Sequence, residues 1–194
     1  KPRLVHRLDR DTSGVLLLAR TPRVARRLGE AFRNRTTRKI YWAIVAGVPS
    51  PSMGTIRFGL LKSGGQGHEK MRCIHPRDVE ATEGAKRATT DFAVLERLGS
   101  RAAWVALVPL GHPIIGDGKY GGSGQENLGD GWGAQLGGDI SRKLHLHARA
   151  ISFVHPVTGA EVTLEAPLPD HMARSWKTLG WRDTDVPLDP FEDA

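Results

Sequence analysis

The chain has 194 residues, 39% hydrophobic and 25% charged, which suits one soluble globular domain with a real core. No apolar stretch approaches the roughly 20 residues that span a bilayer and no signal-peptide pattern opens the chain, so no membrane partner and a cytoplasmic location are expected. The single Cys73 excludes an intramolecular disulfide and any Cys-rich zinc site, and the formal charge of +7 conceals a strong asymmetry. Residues 1–40 hold twelve Lys/Arg against Asp9, Asp11 and Glu30, about +9, whereas residues 181–194 hold Arg182 against five acids. A basic surface of this kind suits a polyanion, because each phosphate contact releases counterions. Solubilising arginines would look the same by count.

Taken in order, the first informative stretch is His6-Arg7-Leu8-Asp9-Arg10-Asp11-Thr12-Ser13-Gly14, followed by Val15-Leu16-Leu17-Leu18-Ala19. An acid among arginines on a Thr/Ser/Gly turn, ahead of a strand-like run expected to be buried, is mounted as catalytic groups often are. Asp9 and Asp11 also suit turn acids bonded to their own backbone. Thr21-Pro22 predicts an N-cap with proline at the first helical position. Val24, Ala25, Leu28, Ala31 and Phe32 then repeat on one helical face, with Arg23, Arg26, Arg27 and Arg33 mostly on the other. Ile40 to Ala46 reads as a strand ended by the turn-rich Gly47-Val48-Pro49-Ser50-Pro51.

Residues 62–87 show no period and read as a long excursion with room for short strands. Thr89–Glu96 and Ala102–Leu110 read as a hairpin joined by Leu98-Gly99-Ser100-Arg101. Gly116-Asp117-Gly118-Lys119-Tyr120-Gly121 matches G-x-G-x-x-G, but no amphipathic helix follows to hold a pyrophosphate, so the stretch through Gly138 reads as a mobile loop. Leu144–His155 alternates as a strand, and Pro156-Val157-Thr158-Gly159 turns it into Glu161–Ala166. His145, His147 and His155 invite a metal, yet no Cys, Asp or Glu spacing completes a tetrahedral set, so none is expected. Pro167-Leu168-Pro169-Asp170 stops the strand and starts a helix with Met172, Trp176 and Leu179 inward and Gly180 at its end. The acidic tail with Pro187 and Pro190 is expected to be extended or disordered. Hairpin-connected strands with two helices argue α+β with a largely antiparallel sheet.

The string H-R-L-D-x-x-T-S-G resembles the signature of the RluA family of pseudouridine synthases. Lys39-Ile40-Tyr41-Trp42-Ala43-Ile44-Val45-Ala46-Gly47 is similar to the family's K-x-Y-x-A-x-V-x-G strand. Gly111-His112-Pro113-Ile114-Ile115-Gly116-Asp117, Lys119-Tyr120-Gly121 and Leu144-His145-Leu146-His147-Ala148 are similar to further family segments, so the resemblance spreads over most of residues 3–169. It implies a mixed, largely antiparallel central sheet with flanking helices and an RNA-binding cleft. It also implies that Asp9 is catalytic, that Arg7 helps displace the target uridine from its stack, and that Tyr41 stacks on the uracil. The implied division is a catalytic domain over residues 1–180, its N-terminal part expected to be missing, and an acidic tail over residues 181–194. The expected partner is RNA, most of all ribosomal RNA, and the expected state a monomer.

Turning uridine into pseudouridine breaks the N1–C1′ bond, rotates the uracil, rejoins it through C5 and removes the C5 proton. Redox balance and group balance both close, so no cofactor is expected. The acid must be ionised to act at the sugar, and a carboxylate in a closed pocket needs a positive partner to stay charged. A covalent adduct and a carboxylate-assisted elimination both meet that need. A flipped base costs a few kcal/mol, which a wedge and a stacking ring offset. The resemblance breaks at one place: the family's G-R-[TS]-H-Q-[IL]-R-x-H segment, whose second arginine pairs with the catalytic aspartate, is missing between Leu110 and Gly111. The expectation is that these two residues are not joined by a peptide bond, their Cα atoms lying well beyond about 3.8 Å. Two other functions fit less of the pattern. A catalytically inactive RNA-binding module of the same fold would not need Asp9 and Tyr41, and a glycosidase-like use of Asp9 and Asp11 needs carboxylates roughly 5–9.5 Å apart across one sugar.

Overall fold

A computed structural model describes residues 1–9, 11–63, 70–106, 140–141 and 143–191. The expectations for residues 107–110, for the segments and loop of residues 111–138 and for the Leu110–Gly111 junction therefore lie outside the described residues, as do Arg10 and the acids Glu192 and Asp193. The described strands are β1 (Arg3–Leu4), β2 (Ser13–Gly14), β3 (Leu18–Ala19), β4 (Arg38–Ala46), β5 (Met53–Ser63), β6 (Lys70–Ile74), β7 (Lys86–Leu98), β8 (Ala102–Ala106), β9 (Leu146–Val154) and β10 (Glu161–Glu165). The helices are α1 (Pro22–Arg33) and α2 (Asp170–Leu179). The main sheet runs β10-β9-β4-β8-β7-β5-β6 with every neighbouring pair antiparallel, and β2 adds to β9 in parallel. This is the mixed, largely antiparallel α+β sheet expected.

The centre of the sheet, β4 with β8, is buried on both faces, as its near-continuous apolar sequence requires. On one face Ile40, Trp42, Ile44 and Trp104 meet Met172, Trp176 and Leu179 of α2. Trp104 packs edge-on to Trp42 at 4.7 Å and to Trp176 at 5.2 Å between ring centres. Such aromatic pairs add about 0.5–1.5 kcal/mol each beyond the area they bury. Gly180 ends α2 in the left-handed conformation, φ 75°. On the other face α1 lays Leu28, Val24, Ala25 and Phe32 on Ile151 and Phe153 of β9, and exposes Arg23, Arg26 and Arg33. The Thr21 hydroxyl accepts from Val24 N–H at 3.3 Å, so the cap forms as its residue types predict.

Two expectations are corrected, on the run after the motif and on the tail, and the short strands allowed for in the excursion are found. The run Val15–Ala19 is not one buried strand: Val15 N–H still bonds the Ala148 carbonyl, and Val15, Leu17 and Ala19 turn to the α1 core, but Leu16 is 45% and Leu18 52% exposed. The excursion before β7 does hold a short strand, β6, which pairs antiparallel with β5, and β5 starts as early as Met53. Its strands showed no period because this arm reaches beyond the helices, so neither face demands alternating apolar residues. The tail through Phe191 is neither extended nor disordered. Trp181, Val186, Leu188 and Phe191 pack against the α2 core, and Asp189 forms a two-pronged ion pair with Arg38, one prong at 2.7 Å from Nη2 to Oδ1. The Arg38 guanidinium holds the Asp189 carboxyl below the usual carboxylate range. Apolar residues interleaved among the acids supply the burial that a wholly acidic tail would lack. No helix among the described residues is long and apolar enough to cross a membrane.

Candidate active site

The site is built where β2 enters the sheet. β9 already pairs with β4 along one edge, so β2 and β10 share the other: Ser13 and Gly14 pair with His147 and Ala148, and β10 takes Ala150 onwards. That short parallel pairing holds the end of the loop bearing Arg7 and Asp9. Thr12 N–H donates to the Asp9 carbonyl at 3.0 Å, closing a turn immediately before the strand. Gly14, at φ 123°, comes so close to β9 that an added Cβ would lie 2.3 Å from the Ala148 carbonyl oxygen, and only glycine fits.

Two histidines brace this loop. His6 Nε2 accepts from Leu17 N–H at 2.9 Å, tying the start of the motif to the run that follows it, while its ring stacks on Phe32 of α1 at 4.6 Å. His147 Nε2 lies 3.1 Å from the Ala166 carbonyl, to which it can only donate, so its Nδ1 is the acceptor for the Ser13 hydroxyl at 2.8 Å. The buried His145 lies 2.8 Å from Ser175 of α2, and His155 accepts from Thr158 N–H in its turn. No group of His, Cys, Asp or Glu among the described residues is arranged to hold a metal. His145 and His147 instead join elements distant in sequence.

Burial lowers the pKa of both His6 and His147 below the ordinary 6.5, with Lys39 adding to the shift at His6. A lowered histidine pKa means that the unfolded chain binds the proton first as pH falls. Stability is therefore fully present above about pH 6.5 and is lost as pH drops toward the folded values. At His6 the loss is also geometric, since a protonated Nε2 cannot accept from Leu17. Thermal midpoints of the wild type are expected to hold steady from pH 8 to 7 and to fall from pH 6.5 to 5, with a shallower fall in His6→Gln. Parallel curves for the two proteins would remove His6 from this account.

Arg7, Asp9 and Tyr41 line one cleft of about 610 Å³, within the size range of small-ligand sites. Tyr41 reaches it through a β-bulge: Ile40 pairs with Ala150 but Tyr41 with Ala148, leaving Arg149 as the extra residue. Arg149 fills the bulge, its guanidinium 4.6 Å from the centre of the Trp42 ring, 2.6 Å from the Ala166 carbonyl and 3.0 Å from Glu165. Burial first, and the Asp9 carboxylate second, raise the Tyr41 pKa above its ordinary 10.0, so the ring enters the cleft as a neutral phenol close to the acid. Asp9 itself is exposed at the cleft, not enclosed in it, and it has no ion pair among the described residues. Asp11 is exposed and is not among the residues lining the cleft, so Asp9 and Asp11 do not face one site together.

Sequence reasoning missed Arg35, Arg38, Thr89, Thr90, Asp91 and Phe191, all of which line the same cleft. The basic residues around Lys39 were a signal for the first two. Nothing local marked the residues of β7 or the tail, which only the sheet and the packing of Phe191 bring there.

The family described as RNA pseudouridylate synthase matches residues 1–111. The chain is 37% identical over 186 residues to an uncharacterized RNA pseudouridine synthase of Zymomonas mobilis, covering 87% of this chain and 74% of that protein. It is 32% identical over 186 residues to ribosomal large subunit pseudouridine synthase C of Vibrio cholerae, covering 89% and 53%. It is 30% identical over 188 residues to an uncharacterized RNA pseudouridine synthase of Synechocystis, covering 90% and 52%. The chain thus spans about half the length of several curated relatives that it matches. Among solved structures, human RNA pseudouridylate synthase domain containing 4 superposes with a TM-score of 0.68 at 28% identity, covering 92% of this chain and 76% of that one.

Proposed function

We infer the reaction from the premise that the chain belongs to the RNA pseudouridylate synthase family, RluA type: the protein isomerises uridine to pseudouridine in RNA. Ribosomal RNA of the large subunit is the substrate we favour, because several relatives are named for it. The protein would work as a monomer in the cytoplasm. The observation that carries the reading is the convergence of Arg7, Asp9 and Tyr41, from two separate segments, on one cleft rimmed by Arg35, Arg38 and Lys39.

In this reading the Asp9 carboxylate acts at the ribose while N1–C1′ breaks and C5–C1′ forms, and the proton lost from C5 is balanced by one taken up at N1. The neutral Tyr41 ring offers its face to the unstacked uracil, which aromatic side chains commonly bind in this way. Arg7 is exposed at the cleft and fills the gap the base leaves in its helix, offsetting part of the few kcal/mol that unstacking costs. The cationic rim attracts the RNA backbone, whose contacts position the strand without reading its sequence. No oxidant, reductant or donor enters the balance, so no cofactor is invoked.

The decisive experiment maps pseudouridines across cellular RNA with and without the intact protein. Loss of one or a few modified sites is expected, and an unchanged map would sink the reaction. A finer prediction separates the two binding residues. Arg7→Ala is expected to slow turnover about tenfold or more on folded RNA but much less on a substrate whose target is already unstacked, whereas Tyr41→Ala slows both. Equal losses on both substrates for both variants would contradict this division of labour.

A further inference from the structure

Arg35 stands just past the end of α1, where a glycine is the usual occupant. Asn34 is the C-cap, and Arg35 follows at φ 56°, the one non-glycine with positive φ among the described residues. Thr36 N–H donates to the Ala31 carbonyl at 3.0 Å and Arg35 N–H to the Phe32 carbonyl at 3.4 Å, bonds that this left-handed turn makes available. A side chain in this conformation is strained and glycine is not. Ending the helix therefore gives no reason for arginine here. Observed strain of this kind points to a use for the side chain where it lands.

Where it lands is the cleft of Asp9 and Tyr41. Two neighbouring cations are engaged: Arg38 is paired with Asp189, and Lys39 lies 6.0 Å from the centre of the Phe32 ring. The Arg35 guanidinium, exposed, has no hydrogen bond or ion pair among the described residues. We propose that Arg35 binds a backbone phosphate of the RNA strand entering the cleft. The proposal rests on the reading of the protein as an RNA-modifying enzyme and adds to it a specific anchor for the strand. A planar guanidinium presents paired donors that match two phosphate oxygens, which a lysine would meet only as a point charge.

The test uses the intact protein, a fluorescein-labelled oligouridylate and binding alone. Arg35→Gly relieves the strain and is expected to raise the thermal midpoint by about 2–4 °C. The same variant is expected to bind the oligonucleotide several-fold more weakly, with the slope of log affinity against log salt reduced by about 0.7, the value of one phosphate on a single strand. Arg35→Lys keeps the charge and the slope but loses the fork, so its affinity falls between the two. Arg174→Ala removes one positive charge from the exposed side of α2, which packs on the opposite face of the sheet to Tyr41, and should leave the slope unchanged. Wild-type affinity and slope in Arg35→Gly would overturn the proposal, and so would an equal loss in Arg174→Ala or a lowered midpoint in Arg35→Gly. A wild-type protein that shows these binding effects but forms no pseudouridine would overturn the enzymatic reading and leave the Arg35 contact standing.

Discussion

Asp9→Ala in the intact protein is expected to lower the rate of uridine isomerisation by about 10³-fold or more while leaving RNA affinity within a few-fold. Each factor of ten is about 1.4 kcal/mol of barrier, so the carboxylate is being asked for roughly 4 kcal/mol or more. That is within reach for a group acting directly at the broken bond. Affinity should survive because phosphate contacts from the basic rim, not one exposed carboxylate, dominate RNA binding. Removing a negative charge from a cleft bordered by Arg7, Arg35, Arg38 and Lys39 can even tighten it slightly. Single-turnover rates beside equilibrium binding decide the matter. A variant keeping a tenth of the wild-type rate would take Asp9 out of the chemistry.

Gly14→Ala is expected to do comparable damage without touching the substrate. Its Cβ would meet the Ala148 carbonyl oxygen at 2.3 Å and the Ala148 nitrogen at 2.6 Å, and these are backbone atoms of a central strand that cannot swing aside. The φ of 123° adds strain of its own. Overpacking and strain together cost about 2–5 kcal/mol, unless β2 lifts from β9 and the motif loop goes with it. Either way Asp9 loses its position against Tyr41, and a displacement of about 1 Å at a reacting group is enough for a hundredfold loss. The variant should show a lowered thermal midpoint, a loss of activity of at least a hundredfold, or both. Wild-type stability together with wild-type turnover would mean that β2 does not set the position of Asp9.

The two substitutions act on one loop, and the sequence disclosed them unequally. Asp9, Arg7 and Tyr41 stood out because the two strings that hold them resemble a family's signature segments, and the structure sets all three on one cleft. Gly14 was visible as a member of the same string, but the reason for it was not, since the atom that excludes a Cβ belongs to Ala148. The histidines show the same limit. Two residues apart on an alternating stretch, His145 and His147 looked like a pair. Instead each bonds a serine from elsewhere in the chain, Ser175 and Ser13.

What the sequence determined by itself was whatever depends on near neighbours. Helical spacing in Val24, Ala25, Leu28 and Phe32, the Thr21-Pro22 start, the hairpin through Gly99 and the stop at Gly180 all follow from local geometry and from one buried face. The tertiary structure alone decided the parallel insertion of β2 beside β9, the bulge that aims Tyr41, and the packing of an acidic tail through Trp181 and Phe191. It alone also joined Arg38 to Asp189, 151 positions away in the chain. Contacts of that range leave no period in either segment, because what each residue requires is a partner and not a spacing. The cleft, made of residues from β4, β7, the motif loop and the tail, exists only once those partners have met.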